Sequence, residues 1–355
     1  MSRILRDYAW YTRLFFIRRW RYSPRTYESM YIIFIWIFIS EVGKSNKTSE
    51  PSLDSADSSS SYDSSKKLLG GYLAGLIEGD GSIIVPKTIR NQKGKLLYPV
   101  VKITFVEKDA PLALKIKEVI GGGTIVHPKN SNYIDLLFQD VNSIQKIAVL
   151  LNGNMRTPKI EALYRLIDWL NARSTDNVKL PKLGLDNSSL GSNPWLTGFI
   201  ESDGNFYCGF DLNPEGIAKI VKCYMRISQK RLYKLDYEIP EDKNSNLDIM
   251  EKIKEFLNVK NVNEIQRTKE NYVELAYEVR TTKKESCDLL IDYLTTYPLF
   301  SSKLQDFLDW EKAHKIRKSK SYKTIEGTSE LVSLKNSMNT KRTQFNWDSL
   351  DRFYC

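Results

Sequence analysis

The apolar and polar positions of the chain follow one order of patterns twice. Each copy begins with an apolar run of helical character, Leu73–Gly81 (LAGLIEGDG) in the first and Leu196–Gly204 (LTGFIESDG) in the second. Two alternating stretches follow each run, as in strands that bury one face. An amphipathic helix, a second pair of strands and two more helical stretches complete each copy. The pattern predicts an αββαββα unit that occurs twice in one chain.

The same periodicities set the expected bounds of the elements. In the first copy we predict strands at 82–90, 98–106, 124–127 and 133–138, and helices at 110–120, 142–151 and 159–172. In the second copy we predict strands at 205–211, 221–228, 262–268 and 272–280, and helices at 247–257, 284–294 and 303–314. The two halves then span 68–172 and 192–312, with a polar, turn-rich connector at 173–191.

The two ends of the chain differ in composition from the halves. Residues 1–67 combine an aromatic and basic stretch with a Ser-, Asp- and Lys-rich linker, and we expect little fixed structure there. The apolar run Tyr31–Ile39 is too short to span a bilayer as a helix, which needs about 20 residues, so no stable membrane span is predicted. Residues 313–355 form a basic tail that either extends a contact with nucleic acid or packs back on the second half.

Small residues recur at helical spacing in both apolar runs, where they let two helices approach closely. Such packing would compensate the cost of glycine in a helix, roughly 1 kcal/mol relative to alanine. Two helices packed side by side would bring the acids that end them, Asp80 and Asp203, to one end of a shared axis. The small residues are Gly71, Gly75 and Gly79 in the first copy and Gly198 and Ser202 in the second.

The net charge of the chain indicates what kind of partner it binds. The chain carries 53 Lys and Arg against 43 Asp and Glu, a net charge of +10. A basic surplus favours a polyanionic partner, but it does not separate DNA from RNA or an anionic membrane. Paired carboxylates on a basic protein suggest metal-assisted cleavage of a phosphate backbone. The four cysteines have no CxxC spacing, which argues against a structural zinc and favours reduced thiols.

Both nonapeptides closely resemble the signature of the LAGLIDADG homing endonucleases, in the single-chain form with two signatures. The resemblance extends from about Leu68 to Trp310 and is strongest to enzymes encoded in group I introns of fungal mitochondrial genes. It implies an α+β fold of two pseudo-symmetric αββαββα halves, with antiparallel saddle-shaped sheets, joined at two packed LAGLIDADG helices. It also implies a monomeric, site-specific double-strand DNA endonuclease of the mitochondrial matrix that uses Mg²⁺, with Mn²⁺ as a substitute.

The resemblance also assigns the metal site to the ends of the two signature helices. Glu78 and Glu201 lie near this site in sequence, but helix geometry turns them about 200° away from the terminal acids. We therefore interpret them as structural residues and expect ion pairs with basic residues on the underside of the sheets. The residues that match the metal site are Asp80, Asp203, Gly79 and Ser202.

Two further residues match catalytic positions of the family. Gln229 matches a glutamine that orients active-site water, whereas Glu107 stands at the equivalent position of the first half. Lys283 is the best match to the active-site lysine, although Lys284 competes for that role. The first half has Val141 at the equivalent place, which predicts two unequal centres and slower cleavage of one strand. Alternatively, Lys283 is a solvated lysine at the start of a helix.

The outward positions of the predicted strands carry more basic than acidic side chains. Antiparallel ribbons of this kind lie in the major groove, where side chains read base edges and grip phosphates. One face of any antiparallel sheet is polar because water covers it, so only the basic excess favours DNA. The halves differ at these positions, which predicts a long, asymmetric target. The predicted DNA-binding residues are Ser82, Ile84, Thr88, Arg90, Lys102, Thr104, Asn205, Tyr207, Lys222, Tyr224, Arg226 and Ser228.

Two other functions stay open at this point. An RNA maturase would use the same fold to bind its own intron RNA and assist splicing, with or without cleavage of DNA. A catalytically silent DNA-binding module would be expected to have lost Asp80 or Asp203, and both acids are present. The intact acids favour cleavage.

Overall fold

The first half follows the predicted order of elements. The computed structural model describes residues 56–174, 179–233, 241–268 and 272–354. The first half consists of α1 (Ala56–Asp80), β1 (Gly81–Ile84), β2 (Val100–Val106), α2 (Ala110–Ile120), β3 (Thr124–Val126), β4 (Tyr133–Phe138), α3 (Val141–Leu151) and α4 (Ile160–Asn171).

The second half repeats this order and continues beyond it. A short helical turn at Glu241–Asn244 lies just before the helix at Leu247–Phe256. Its main elements are α5 (Trp195–Asp203), β5 (Gly204–Leu212), β6 (Ala218–Lys230), α6 (Leu247–Phe256), β7 (Asn263–Thr268), β8 (Val273–Arg280), α7 (Lys284–Thr296), α8 (Lys303–Ser319) and α9 (Ile325–Ser337).

Each half contains one antiparallel sheet of four strands. The orders are β1-β2-β4-β3 and β5-β6-β8-β7, so the two sheets have the same topology. The predicted inward positions are buried, for example Ile103 at 1% exposure and Met225 at 0%. The register pairs Ser82 with Lys102 and Tyr207 with Tyr224 on the opposite, outward face. The α+β fold with an internal duplication and the predicted strand parity are therefore confirmed.

Two elements differ most from their predicted bounds, while β6 begins three residues earlier and α8 ends five residues later than predicted. Strand β1 ends at Ile84 and does not reach Arg90, because Pro86 has no N–H to donate to a ladder. Arg90 instead forms an isolated bridge with Leu96. Helix α1 begins at Ala56, so the end of the predicted Ser-rich linker is helical. The apolar half of this helix supplies the nucleus, and each added residue then costs little. The rest of the predicted N-terminal extension lies outside the described residues.

Helices α1 and α5 cross at two reciprocal glycines. A Cβ atom on Gly75 would lie 1.9 Å from the main-chain oxygen of Trp195, and one on Gly198 would lie 2.0 Å from that of Tyr72. Such distances mean that backbone meets backbone with no side chain between. The predicted close packing of the two signature helices is confirmed.

Glu78 connects the first signature helix to the turn before α4, and Glu201 connects the second signature helix to the turn before α8. Glu78 accepts hydrogen bonds from the main-chain N–H of Arg156 and of Thr157, at 3.0 and 2.6 Å. Glu201 accepts from the N–H of Phe300 at 2.5 Å, and from Ser301. The two acids are structural, as predicted. The predicted ion pairs with basic residues are wrong, because main-chain N–H groups and hydroxyl groups donate hydrogen bonds to these carboxylates instead.

Each of these acids also crosses to the other half. The indole Nε1 of Trp195 donates to Glu78 at 2.5 Å, and the hydroxyl of Tyr72 donates to Glu201 at 3.4 Å. Both carboxylates are buried, and loss of solvent raises the pKa of each. These paired bonds fix the turns before α4 and α8 relative to the helix interface.

The basic C-terminal tail packs back on the protein, as in the second of the two alternatives stated for it. Phe353 is buried, with its ring 5.5 Å from that of Tyr72 and 4.9 Å from that of Phe300. Arg342 forms ion pairs with Asp306 and Asp309 at 3.2 and 2.5 Å. The tail therefore runs from the second half to the first signature helix.

The predicted lack of a membrane span concerns mainly the N-terminal run, which lies outside the described residues. In the part of the chain that the structure describes, no helix combines the length and the apolar character needed to cross a bilayer.

Candidate active site

The two terminal acids of the signature helices meet at one point. Asp80 is the last residue of α1 and Asp203 the last residue of α5. Because the helices pack along their glycines, their ends lie side by side. Asp203 Oδ2 is 2.8 Å from the place that a Cβ on Gly79 would occupy, and Ser202 Oγ is 1.7 Å from it. The residues predicted for the metal site, Asp80, Asp203, Gly79 and Ser202, are thus brought together.

The charges around the two acids are strongly coupled. Burial and the negative charge of Asp80 raise the pKa of Asp203 to about 7, while Lys303, Lys159 and Arg267 act in the opposite direction. Burial also raises the pKa of Asp80, against the positive charges of Lys303 and Lys159. The site therefore concentrates negative charge at the end of two helices, whose macrodipoles add to it.

Lys159 and Lys303 are the cations at this site, and the sequence analysis missed both. The ammonium of Lys159 donates to the main-chain oxygens of Glu78 and Gly81 at 2.6 and 3.0 Å. That of Lys303 donates to those of Glu201 and Ser202 at 2.6 and 2.9 Å. Burial lowers the pKa of both ammonium groups, that of Lys159 to about 8.

A sequence signal for the two lysines did exist. Each stands at the start of the last helix of the duplicated unit, two residues after a hydroxyl residue, Thr157 or Ser301. Those hydroxyl residues are the ones that donate to Glu78 and Glu201. The recurrence was visible in the duplicated order, but only the fold shows that these turns reach the helix ends.

Lys283 occupies a different place from the one predicted. It caps the start of α7 and lines a cavity of about 440 Å³ with Lys260, Glu278, Arg280 and Ser286. The alternative stated above, a lysine at the start of a helix, fits this position of Lys283 better. Its first-half counterpart, Val141, is likewise the first residue of a helix, α3. Because Lys159 and Lys303 are equivalent, a missing lysine no longer supports unequal centres, and slower cleavage of one strand stays a prediction.

Gln229 reaches the active site as predicted. Its Nε2 donates to Asp203 Oδ2 at 2.6 Å, which holds the carboxylate in one orientation. Gln229 lies near the end of β6, opposite Tyr277 of β8. Its counterpart Glu107 follows β2 in a short 3₁₀ turn, and its own N–H donates to Asn132. The two halves therefore differ in this residue.

The outward face of the first sheet holds part of the predicted DNA-binding set. Lys102 forms an ion pair with Asp135 at 3.5 Å, and Thr104 donates to the same carboxylate at 2.7 Å. Ser82 lies opposite Lys102, one strand away. Ile84 is exposed at the end of β1.

Thr88 and Arg90 lie beyond the end of β1 and outside the ladder. Both are exposed, and the guanidinium of Arg90 donates to the main-chain oxygen of Gly94 at 2.6 Å. They belong to the loop between β1 and β2, so their predicted place on the strand is wrong. Pro86 causes the change, as described above.

The outward face of the second sheet brings the remaining residues together. Asn205 lies opposite Arg226, Tyr207 opposite Tyr224, and a glycine opposite Lys222. Asn205 also donates to the Asn339 side chain of the tail at 3.2 Å. Ser228 accepts a hydrogen bond from Arg267, a residue of β7 that sequence analysis did not single out.

The donors at the helix ends suit a hard divalent cation. Asp80 and Asp203 supply carboxylate oxygens, and main-chain oxygens lie beside them. No cluster of three or more His, Cys, Asp or Glu suited to a metal occurs among residues 56–174, 179–233, 241–268 and 272–354. A site with two carboxylates matches Mg²⁺, which keeps several waters and needs few protein ligands. Burial and the repulsion from Asp80 raise the pKa of Asp203, and a cation bound there would offset both.

Comparison with known proteins places this geometry among intron-encoded nucleases. The profile of the LAGLIDADG endonuclease family matches residues 73–170 and 196–314. The intron-encoded DNA endonuclease aI3 of Saccharomyces cerevisiae is 30% identical over 308 residues, which cover 81% of this chain and 73% of that protein. A probable intron-encoded endonuclease 4 of Neurospora crassa is 27% identical over 271 residues, 76% of this chain and 44% of that protein. Both descriptions favour cleavage over the maturase alternative.

Solved structures agree on the fold. The LAGLIDADG homing endonuclease I-LtrWI, bound to target DNA, matches with a TM-score of 0.55 and 22% identity, over 78% of this chain and 100% of that one. I-SmaMI, bound to uncleaved DNA in the presence of calcium ions, matches with a TM-score of 0.54 and 20% identity, over 76% of this chain and 98% of that one. At this identity the likeness shows the fold.

Proposed function

The chain belongs to the LAGLIDADG endonuclease family, and from this premise we propose that it is a metal-dependent homing endonuclease. It cleaves both strands of duplex DNA at one long, asymmetric site and acts as a monomer. The observation that carries the proposal is the meeting of Asp80 and Asp203 beside Lys159 and Lys303, where both outward sheet faces begin. The resemblance to enzymes of fungal mitochondrial introns supports the mitochondrial matrix as its location.

Asp80 and Asp203 would hold the metal, with the main chain at Gly79 and Ser202 beside them. When bound, Mg²⁺, or Mn²⁺ in its place, would supply Lewis-acid stabilisation of the charge on the scissile phosphate. Gln229 holds Asp203 through its Nε2, and its own carbonyl oxygen is an acceptor that would orient a water molecule. These residues therefore position the nucleophile relative to the phosphate.

The two lysines make this anionic site tolerant of a phosphate. Two helix C-termini and two carboxylates would otherwise repel it, since each helix end carries about half a negative charge. Lys159 and Lys303 place their charges on those helix ends through the main-chain oxygens they contact. Burial lowers the pKa of Lys159 only to about 8, so it is charged at neutral pH. Glu78 and Glu201 hold the turns that carry these lysines.

The first test uses the full chain and a library of random-sequence duplex DNA. Duplexes bound in Ca²⁺ are selected and sequenced, and the enriched duplex is then incubated with Mg²⁺, Mn²⁺ or no metal. We expect one enriched sequence, binding without cleavage in Ca²⁺, and cleavage of both strands at one position with Mg²⁺. Tight binding without cleavage in any metal would contradict the nuclease and would bring the maturase back into question.

Replacement of the two lysines tests their role at the helix ends. We expect Lys159→Met and Lys303→Met each to slow cleavage by about 10²- to 10³-fold, the loss typical of one electrostatic group at a reacting phosphate or carbonyl. Because each lysine contacts one helix end, each variant should slow one strand more than the other. Cleavage of a supercoiled plasmid that carries the target would then accumulate nicked circles.

Lys283→Met is the matched comparison for these variants. It removes the lysine that the sequence analysis assigned to the active site, and we expect a much smaller loss. An equal loss in Lys283→Met, with none in Lys159→Met, would restore the original assignment.

A further inference from the structure

Five side chains form one continuous ladder on the outward face of the second sheet. The rings of Tyr207 and Tyr224 stack with centroids 4.5 Å apart and an interplanar angle of 16°. The guanidinium of Arg280 lies 4.7 Å from the ring centroid of Tyr224. Glu278 accepts from Arg280 Nη2 at 2.7 Å and lies 3.8 Å from Arg226 Nε. We call these residues the ladder.

The strand register places the whole ladder on the side of the sheet that faces away from the core. Tyr207 lies opposite Tyr224 and Arg226 opposite Arg280, while Glu278 lies opposite Ser228. Their neighbours along the strands point inward and are buried, as alternation requires. The ladder therefore lies on the face that would meet DNA under the proposed function.

The negative charge of Glu278 is unexpected on a surface that would bind a polyanion. Its side chain is only 5% exposed, although it stands on the outward face. Arg226 and Arg280 cover it and engage one carboxylate oxygen each. A carboxylate at this position adds repulsion toward phosphate and no solvated surface. What it does provide is a fixed anchor for two guanidinium groups.

Arg280 is held in a single plane by these contacts. The ring of Tyr224 fixes one face of the guanidinium, and Glu278 takes one hydrogen of Nη2. Nε is buried without a hydrogen-bond partner among the described residues. Nη1 and the remaining hydrogen of Nη2 are then the donors available to a ligand. Two parallel N–H donors on a fixed plane match O6 and N7 of guanine in the major groove.

We propose that Arg280 is a specificity-determining residue that reads one guanine of the target, with Glu278 and Tyr224 as positioning residues. This inference rests on the proposed function, and it adds a base-reading residue that the sequence analysis did not name. A phosphate contact would need only a charge, whereas the ladder fixes the orientation of the donors. Fixing them before binding removes the entropy cost that a free arginine would incur.

The test measures the binding of the full-length protein to its selected duplex in Ca²⁺, together with every single base-pair variant of that duplex. Under the inference, the wild type discriminates at one G·C pair by about 5- to 160-fold, the range of one bidentate contact. Arg280→Ala and Arg280→Lys both lose this discrimination at that pair and keep it elsewhere. Arg280→Lys keeps the charge, so its affinity for unrelated DNA stays near that of the wild type.

Glu278→Gln separates a positioning role from a merely structural one. Removal of the carboxylate frees both arginines and raises the net charge by one. We expect weaker discrimination at the same G·C pair together with tighter binding to unrelated DNA and a steeper dependence on salt. Structural damage would lower both affinities, and thermal melts of each variant establish whether the fold is kept.

Lys222→Ala is the comparison for a simple charge contact on the same face. It should weaken binding almost equally at all sequences and lower the salt slope by about one. If Arg280→Ala behaves like Lys222→Ala, with no base pair singled out, Arg280 contacts a phosphate and the inference is overturned. If the wild type enriches no sequence at all, the proposed function fails and the inference fails with it. Specific wild-type binding with unaltered profiles in both Arg280 variants overturns the inference alone.

Discussion

Asp80→Asn combined with Asp203→Asn is expected to abolish cleavage of the target, by at least about a thousandfold, without loss of target binding. Metal-assisted stabilisation of a phosphate transition state is worth several kcal/mol, and each 1.36 kcal/mol changes the rate about tenfold. Asparagine keeps the size of the side chain but removes the charge that would hold the cation. Binding should be kept, because asparagine removes negative charge from the surface that meets phosphate. Cleavage in Mg²⁺ and binding in Ca²⁺ measure the two effects.

Asp292→Asn is the matched control, since it makes the same substitution at an exposed aspartate of α7 away from the helix ends. It should cleave like the wild type. If the double variant still cuts at the normal rate, the metal site is elsewhere and the assignment of the two acids is wrong.

Asp203→Asn alone has a further consequence, which concerns the stability of the protein in the absence of metal. The pKa of Asp203 rises from 3.8 to about 7 on folding, because of burial and the charge of Asp80. The folded protein therefore holds a proton that the unfolded chain has released. The stability from this proton is complete below pH 3.8 and is lost as the pH rises through 7, on the order of 4 kcal/mol at most. In Asp203→Asn this part of the fall should disappear from melts in the presence of a chelator.

Gly75→Ala is expected to destabilise the protein by more than about 3 kcal/mol, as is Gly198→Ala. The added methyl group would lie 1.9 or 2.0 Å from a main-chain oxygen of the opposite helix, so the helices would have to separate. For a protein of this size the melting temperature should drop by roughly 6 to 12 °C. Separation would also move Asp80 away from Asp203, so cleavage should fall even at temperatures where the variants are folded.

Gly71→Ala provides the control within the same helix. A Cβ on Gly71 would be 3.4 Å from Pro194 and 3.5 Å from Asn193, an ordinary contact. Alanine also favours the helix by about 1 kcal/mol, so Gly71→Ala should be neutral or stabilising. Equal losses in Gly71→Ala and Gly75→Ala would mean that the effect does not arise from close helix packing.

The parts of the fold that repeat could be predicted from the sequence. Alternation fixes which side of a strand is buried, and this holds whatever the rest of the chain does. The small residues at every fourth position likewise predicted the helix interface, and the acids beside them predicted where the active site lies. The largest differences are at the ends of β1 and α1, because a single proline and a long polar helical extension override the periodic signal. Strand β6 and helix α8 are also longer than predicted, and helix α9 lies in the predicted tail.

The residues that the sequence did not reveal act across long separations. Lys159 acts through carbonyl oxygens of Glu78 and Gly81, about 80 residues away, and its recurrence after a hydroxyl residue does not by itself show that it reaches them. Lys283 matched the active-site lysine of the family at the start of a helix. That helix, α7, begins beside a cavity lined by strands of the second sheet. Arg280 lies at the end of a predicted strand, and only the register shows that Glu278 and Tyr224 hold it.

The return of the tail to the first signature helix has a consequence for how the chain folds during synthesis. Tyr72 lies in the first described helix, whereas Phe353 leaves the ribosome only after both halves have been synthesised. Both halves can collapse earlier, as domains generally do from the N-terminus. The aromatic cluster around Tyr72 and Phe300 closes only when Phe353 has emerged from the ribosome. Until then this apolar surface at the helix junction stays open to other chains, so docking of the tail is the step that completes it.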